Sequence, residues 1–303
     1  MLLQPLKGPV KIVPRVVAWA KGIFAVVFFL PTVFLVNAAQ FLSCIIRPFS
    51  KKAFRKANRL IPDLWLSTAV WWAKHFCGTR FVITGDDLSP GENAVLIGNH
   101  QSFADAMALF ALAHRHGRLG DLSYFSKDSI KYWPGIGWGL RFVNCIFVKR
   151  NWDGDRQRLK NTFSKITEND LPFWFINFVE GTRLSPEKLI QAKTYAEKND
   201  MRAPENVLIP RTKGFTATIE GLRGNIDAVY DMSIAYERGL PSLWQLMMGL
   251  VNRIHIHIRR FPLDELPVDA GELSDWLQER FIEKDKLLGS FYRQGKFQAK
   301  GDC

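Results

Sequence analysis

Residues 22–46 read GIFAVVFFLPTVFLVNAAQFLSCII and contain no Asp, Glu, Lys or Arg. About 20 apolar residues in a helix cross the hydrocarbon core of a bilayer, so this run is long enough to reach across one. A cleaved signal peptide would have a shorter apolar region ending at a small-residue cleavage site. Arg47-Pro48-Phe49 offers none. The run therefore predicts a helical membrane anchor. Its orientation is ambiguous, because cations sit on both sides: Lys7, Lys11, Arg15 and Lys21 before it, Arg47, Lys51, Lys52, Arg55, Lys56 and Arg59 after it. Positive charge marks the cytoplasmic side. Pro31 falls inside the run, where a proline breaks or kinks a helix. A bent helical pair that enters one leaflet and returns suits both flanks, with a single kinked span as the alternative. Near an anionic surface each flanking cation contributes about 1 kcal/mol.

The rest of the 303 residues reads as globular. With 47% hydrophobic residues the chain can fill a core, which excludes intrinsic disorder. The formal charge of +12, from 41 Lys+Arg against 29 Asp+Glu, calls for an acidic partner: nucleic acid, an anionic membrane or a phosphorylated substrate. Cys44, Cys77, Cys145 and Cys303 form no C-x-x-C pair, so neither a disulfide framework nor a thiolate zinc site is indicated, and they read as buried thiols. A Trp-rich amphipathic helix is expected near residues 63–74. Strands are expected at 80–84, 94–98, 122–126, 145–149, 173–179, 207–209, 228–236 and 253–260. Helices are expected at 104–116, 128–142, 155–169, 214–222 and beyond Gly271. Strand–helix alternation predicts an α/β fold, a mostly parallel sheet flanked by helices. The division is an anchoring segment over 1–60 and a catalytic domain over 61–303.

Four blocks carry chemistry. Asn99-His100-Gln101-Ser102-Phe103-Ala104-Asp105 follows a predicted strand and opens a predicted helix, the position where open parallel sheets hold their ligands. An Asp one helical turn beyond a His can meet one imidazole nitrogen, fix the tautomer and leave the other nitrogen free as a general base. On this spacing alone a helix-capping Asp105 and an ordinary loop His100 are an equally good reading. No G-x-S-x-G elbow supplies a nucleophile, so the attacking hydroxyl would come from the substrate. In Phe178-Val179-Glu180-Gly181-Thr182-Arg183, Gly181 permits close backbone approach, Thr182 brings a hydroxyl and Arg183 a planar fork suited to phosphate. Lys149 and Arg150 end a third strand. Pro210, Arg211 and Lys213 lie in the fourth block, Leu208-Ile209-Pro210-Arg211-Thr212-Lys213-Gly214-Phe215. Together the cations suggest a cup for an anionic head group.

These blocks, NHQSFAD, IFVKR, FVEGTR and VLIPRTKGF, resemble in content and order those of the glycerolipid acyltransferases of the lysophosphatidic acid type. The Pro-Arg-Thr-Lys-Gly-Phe wording is closest to the branch that includes lysocardiolipin and other lysophospholipid acyltransferases. The resemblance implies the acyltransferase fold and the conversion of 1-acylglycerol 3-phosphate to phosphatidic acid. It makes His100 the general base toward the acceptor's sn-2 hydroxyl and Asp105 the group that orients it. Glu180, Gly181, Thr182, Arg183 and Arg150 would bind the glycerol phosphate, and Pro210, Arg211 and Lys213 would shape the acyl-donor or phosphate site. The acyl donor would be acyl-CoA or acyl-carrier protein, with no cofactor and no metal. The implied location is a membrane, the cytoplasmic membrane of a bacterium with the site facing the cytoplasm. A CoA-independent transacylase and a catalytically idle lipid-binding protein are the alternatives. His255 and His257 alternate with isoleucines and read as the polar face of a half-buried strand. The 10 tryptophans fit a membrane interface, and the absence of any nucleic-acid motif removes nucleic acid from the expected partners.

Overall fold

Apolar strands with no polar face must be covered on both sides, and the fold follows from that requirement. The computed structural model describes residues 4–9, 11–143, 145–148, 159, 163 and 172–297. Its strands are β1 (Arg80–Gly85), β2 (Ala94–Gly98), β3 (Leu122–Lys127), β4 (Ile146–Val148), β5 (Trp174–Asn177), β6 (Ala228–Tyr236) and β7 (Arg253–Pro262). They form one sheet in the order β1-β7-β6-β2-β5-β3-β4. The strands from β6 to β4 in this order run parallel, whereas β7 is antiparallel to β6 and carries β1 with it. The sheet is thus mostly parallel with one reversed edge.

The helices are α1 (Ile12–Ser43), α2 (Lys51–Trp71), α3 (Asp105–Arg115), α4 (Ile136–Leu140), α5 (Pro186–Lys198), α6 (Thr212–Leu222), α7 (Leu243–Met247) and α8 (Ala270–Gln294). Residue alternation divides the core between the two faces of the sheet. Val95, Ile97, Phe175 and Val229 pack with Phe215 and Ile219 of α6 and with Leu277 and Leu288 of α8. Ala94, Leu96, Trp174 and Tyr230 pack on the other face with Ala108 and Leu112 of α3.

Two expected elements differ. Residues 128–142 form a 3-10 turn at Asp128–Tyr132 and then the short α4, rather than one helix. Pro134 forces Trp133 into extended backbone, and Gly135 follows with φ +77°. Residues 207–209 are loop, because their register is fixed from elsewhere: the N–H groups of Glu205 and Asn206 both donate to Asp285 Oδ1 on α8. Most of the helix expected at 155–169 lies outside the described residues, although Leu159 and Phe163 are buried in the core. Of the cysteines, Cys77 is buried and Cys145 half-buried, but Cys44 is exposed, because it follows directly on α1, whose outer face is open.

The apolar run forms a single continuous helix and not a bent pair. About 48 Å long at 1.5 Å per residue, α1 is long and apolar enough to cross a membrane. It passes through Pro31, where Thr32 Oγ1 donates back to Phe28 O and accepts from Trp65 Nε1 of α2, bracing the helix beside the proline. The chain turns only after Ser43 and returns as α2, which runs through residue 60 without a break. One stripe of α1 is buried along its length: Ala18, Gly22, Ala25, Val33, Asn37, Gln40 and Ser43. Its lower end is polar. Asn58 of α2 donates to Ser43 Oγ at 2.7 Å, and Gln40 Nε2 to Gly139 O. Its upper end is sealed by Trp244, whose ring would lie 2.7 Å from a Cβ at Gly22. The opposite stripe, with Val16, Ile23, Phe24, Val27, Leu30 and Leu35, is exposed.

The C-terminal helix is bolted to the sheet by charge. Lys284 is fully buried and its Nζ donates to Asp231 Oδ1 and, at 2.6 Å, to Met232 O. Arg259 Nη2 takes the other Asp231 oxygen at 2.5 Å. Burial pushes the Asp231 carboxyl up, but the charges of Lys284 and Arg259 outweigh it and hold the carboxyl below its ordinary value. Removing one member of such a cluster leaves a buried charge uncompensated. Lys284→Met is therefore expected to cost about 3–5 kcal/mol of stability, read as a lower midpoint in chemical denaturation of the detergent-solubilised protein.

Candidate active site

Strand register brings the sequence blocks together. Ile97 of β2 pairs with Asn177 of β5 on one side and Asp231 of β6 on the other. His100 and Glu180 each lie three residues past the Ile97–Asn177 pair, so two blocks 80 positions apart leave the sheet at one rim. Asn99 continues the ladder with its side chain, accepting from Ile234 N at 2.8 Å and donating to Ile234 O at 2.9 Å. This holds the turn to β6 while its own backbone departs toward α3.

Asp105 opens α3 and is completely buried. Its Oδ2 accepts from Gln101 N at 2.7 Å, Ser102 N at 2.8 Å and His100 Nδ1 at 2.9 Å, while Oδ1 accepts from the Tyr236 hydroxyl at 2.6 Å. The carboxylate thus reaches His100 and gathers the amides of the turn ahead of α3, rather than capping the helix's own N–H groups. Oδ2 is the acceptor for two backbone amides and for the imidazole, so the imidazole proton belongs on Nδ1 and the lone pair on Nε2. The His100 ring stacks on Phe178, centroids 4.2 Å apart and planes 20° apart, and its side chain is 21% exposed. Among the described residues nothing bonds to Nε2. Ser102 Oγ donates to Pro241 O, which ties the turn to the loop leading into α7.

The FVEGTR turn closes over this site. Leu184 N donates to His100 O at 2.8 Å. Glu180 is buried, its oxygens near the amides of His100 and Leu208 without closing a well-formed hydrogen bond. Burial pushes its carboxyl well above the ordinary range, with those two amides and the Lys284 charge opposing. Gly181 has φ +67°, and a Cβ there would meet Arg211 Cδ and Nε at 3.0 Å, so glycine lets the two blocks touch. Arg211 N also donates to Val179 O at 2.7 Å. Arg183 is exposed, its guanidinium 3.8 Å from the centre of the Phe103 ring. Arg211 and Lys213 are exposed at the start of α6, and Pro210 is buried behind them. Arg150 lies outside the described residues.

Sequence reasoning missed four participants. Asn99 stood in the motif without a role. Tyr236 was read only as the end of a strand. Lys188 of α5 donates to Thr182 Oγ1, and Tyr292 of α8 exchanges hydrogen bonds with the Gln101 side chain. No local pattern marks any of these four; each acts through a contact far along the chain or across a turn. The paired histidines of β7 are buried, not half-buried. His255 bonds Glu237 at 2.7 Å and His257 bonds Thr84 at 3.1 Å. Phe291 of α8 and Phe297 beyond it pack on the two imidazoles and cover the face that the alternation left open.

An acyltransferase family model matches residues 80–213, and an acyltransferase C-terminus model matches residues 245–303. A 1-acyl-sn-glycerol-3-phosphate acyltransferase 2 from Brassica oleracea is 36% identical over 251 residues, covering 80% of this chain and 64% of that protein. A lysocardiolipin acyltransferase 1 from Gallus gallus is 32% identical over 286 residues, 92% of this chain and 75% of that one. The chain belongs to the acyltransferase family that includes these enzymes. It spans just under two thirds of the length of that Brassica relative. The crystal structure of PlsC, the 1-acyl-sn-glycerophosphate acyltransferase of Thermotoga maritima, shares the fold. Its TM-score is 0.55 and its identity 17%, with 91% of this chain and 97% of that one covered.

The raised Glu180 carboxyl has a consequence for stability. The unfolded chain loses this proton above about pH 4.3, while the folded chain keeps it to higher pH. Between the two values the folded state binds more protons, so stability falls as pH rises. Glu180→Gln removes this decline. Urea midpoints of the wild type are expected to drop relative to the Gln variant from pH 5 to pH 8. Parallel curves would mean an ionised Glu180.

Proposed function

We propose that the protein transfers a fatty acyl group from acyl-CoA to the sn-2 hydroxyl of 1-acylglycerol 3-phosphate, giving phosphatidic acid. The observation that carries this reading is His100, oriented from behind by Asp105 and open at Nε2, beside the exposed Arg183 and Arg211. The acceptor's phosphate binds to Arg183, Arg211 and Lys213 and to the Gly181–Thr182 backbone, and Arg150 is a further candidate from the family resemblance alone. Glu180 supports that turn from beneath. With the phosphate held, Nε2 takes the proton from the acceptor hydroxyl as its oxygen attacks the thioester carbonyl. The tetrahedral intermediate collapses, the C–S bond breaks, and the CoA sulfur leaves with the proton carried by His100. No acyl-enzyme is formed.

The same reading places the protein at a membrane, with α1 lying in one leaflet. An isolated span must be apolar all round, yet α1 buries one stripe against the domain from Ala18 to Ser43 and ends it in polar contacts. A helix docked from Ala18 to Ser43 does not cross a bilayer without its domain. Its exposed stripe would enter the acyl region while Lys51, Lys52, Arg55 and Lys56 of α2 meet anionic head groups. The catalytic turn is one contact from this surface, because Ser102 bonds Pro241 and the adjoining α7 covers α1 through Trp244.

Thiol release from oleoyl-CoA tests the reaction, with each lysophospholipid offered in turn. Release should require an acceptor and fall roughly 10²- to 10⁴-fold in His100→Ala. The best acceptor fixes the head group, lysophosphatidic acid against lysocardiolipin or lysophosphatidylglycerol. Acyl-carrier protein and phospholipid donors come next if no thiol appears, and failure of all donors would leave a lipid-binding protein. Topology is tested on vesicles. Sedimentation should favour vesicles containing anionic lipid over neutral ones, and externally added protease should reach both ends of α1. Protection of either end would show a span.

A further inference from the structure

Asp105 is usefully aimed at His100 only if its carboxylate cannot rotate. Oδ2 is fixed by three donors, but Oδ1 lies in the same completely buried position and has one partner, the Tyr236 hydroxyl at 2.6 Å. Without that hydroxyl Oδ1 would be a buried charged oxygen with no donor, a costly state that the carboxylate would relieve by turning away from His100. Tyr236 is itself over-determined. It ends β6, its ring is in the core on the α3 side of the sheet, and Ile234, two residues earlier, is clamped by Asn99. We propose that Tyr236 is the third member of the catalytic constellation, a positioning residue that fixes the Asp105 carboxylate and through it the His100 imidazole. Burial, and then the adjacent Asp105 charge, push the phenol well above its ordinary value, so Tyr236 stays a donor.

The consequence is a chain of three groups from three elements. Asp105 comes from α3, His100 from the turn after β2 and Tyr236 from the end of β6, all on the one rim that the strand register defines. Tyr292 of α8 holds Gln101, whose amide is one of the other Asp105 donors, so the C-terminal helix backs the same carboxylate indirectly.

This inference rests on the acyl-transfer reading, and its test separates the two. Tyr236→Phe keeps the ring and removes only the hydroxyl. In mixed micelles its kcat should fall roughly 10- to 100-fold with KM for donor and acceptor within about twofold of wild type. In an Asp105→Asn background the same change should cost no more than about a further twofold, because its effect passes through Asp105. Tyr230→Phe is the control: it removes a buried hydroxyl from the same strand, bound to Glu92 at the far end, and should leave kcat unchanged. A Tyr236→Phe kcat within about twofold of wild type would overturn the proposal, as would a full additional loss in the Asp105→Asn background. If the wild type turns over no substrate, the reaction assignment is what fails. Proton NMR then decides the inference alone: the low-field signal of the His100 Nδ1 proton, assigned with His100→Ala, should shift or broaden in Tyr236→Phe and persist in Tyr230→Phe. Its persistence in both would refute the inference.

Discussion

The structure depends on how β2 is flanked. Parallel neighbours on both sides, β5 and β6, force three consecutive strands of the sheet to leave the core at one rim and in one register. Backbone hydrogen bonds set that register, and a slip of one residue would turn every apolar side chain to the wrong face. Val95 and Ile97 belong to one core and Leu96 to the other. Catalytic geometry is therefore inherited from packing. His100, Glu180 and Tyr236 meet because the strands beneath them have no other way to lie.

Charge is handled differently at different depths. Beneath the rim, Asp231 is ionised between Lys284 and Arg259, and this cluster fastens α8 to β6 and β7. At the rim, Asp105 accepts from two backbone amides, His100 and Tyr236. Between them Glu180 has no such set of donors, and burial drives it toward the neutral acid. At the surface, Arg183 rests on Phe103, and Arg211 and Lys213 are open. The cations at the mouth are exposed, whereas those below are paired with buried carboxylates.

Much of this was legible in the sequence, and the remainder had physical reasons for being hidden. Five of the eight expected strands have paired counterparts within one residue at each end, and the strand at 253–260 continues to Pro262, since runs such as Ala94–Gly98 are apolar on both faces. The strand at 173–179 is found shorter, as Trp174–Asn177, because Phe178 and Val179 already begin the turn over His100. The strand at 207–209 fails because Asp285, some 80 positions away, decides its backbone. The reversal of β7 could not be read locally, because a strand carries no mark of direction. The spacing of His100 and Asp105 allowed the contact between them but did not require it. Tyr236 and Lys188 carried no such signal, since their partners are brought by the fold. The apolar run gave the helix, but not that one of its stripes is a packing surface.

That last feature bears on how the protein would meet its substrates. A tethered domain samples many heights above a membrane, whereas a domain with its hydrophobic helix welded to its own surface has one. If α1 lies in a leaflet, the distance from the acyl region to His100 is set by covalent structure and side-chain packing, as the reach of a fixed tool is set by its mount. Lipids would then be sorted by the depth at which they carry their free hydroxyl before any group at the rim touches them.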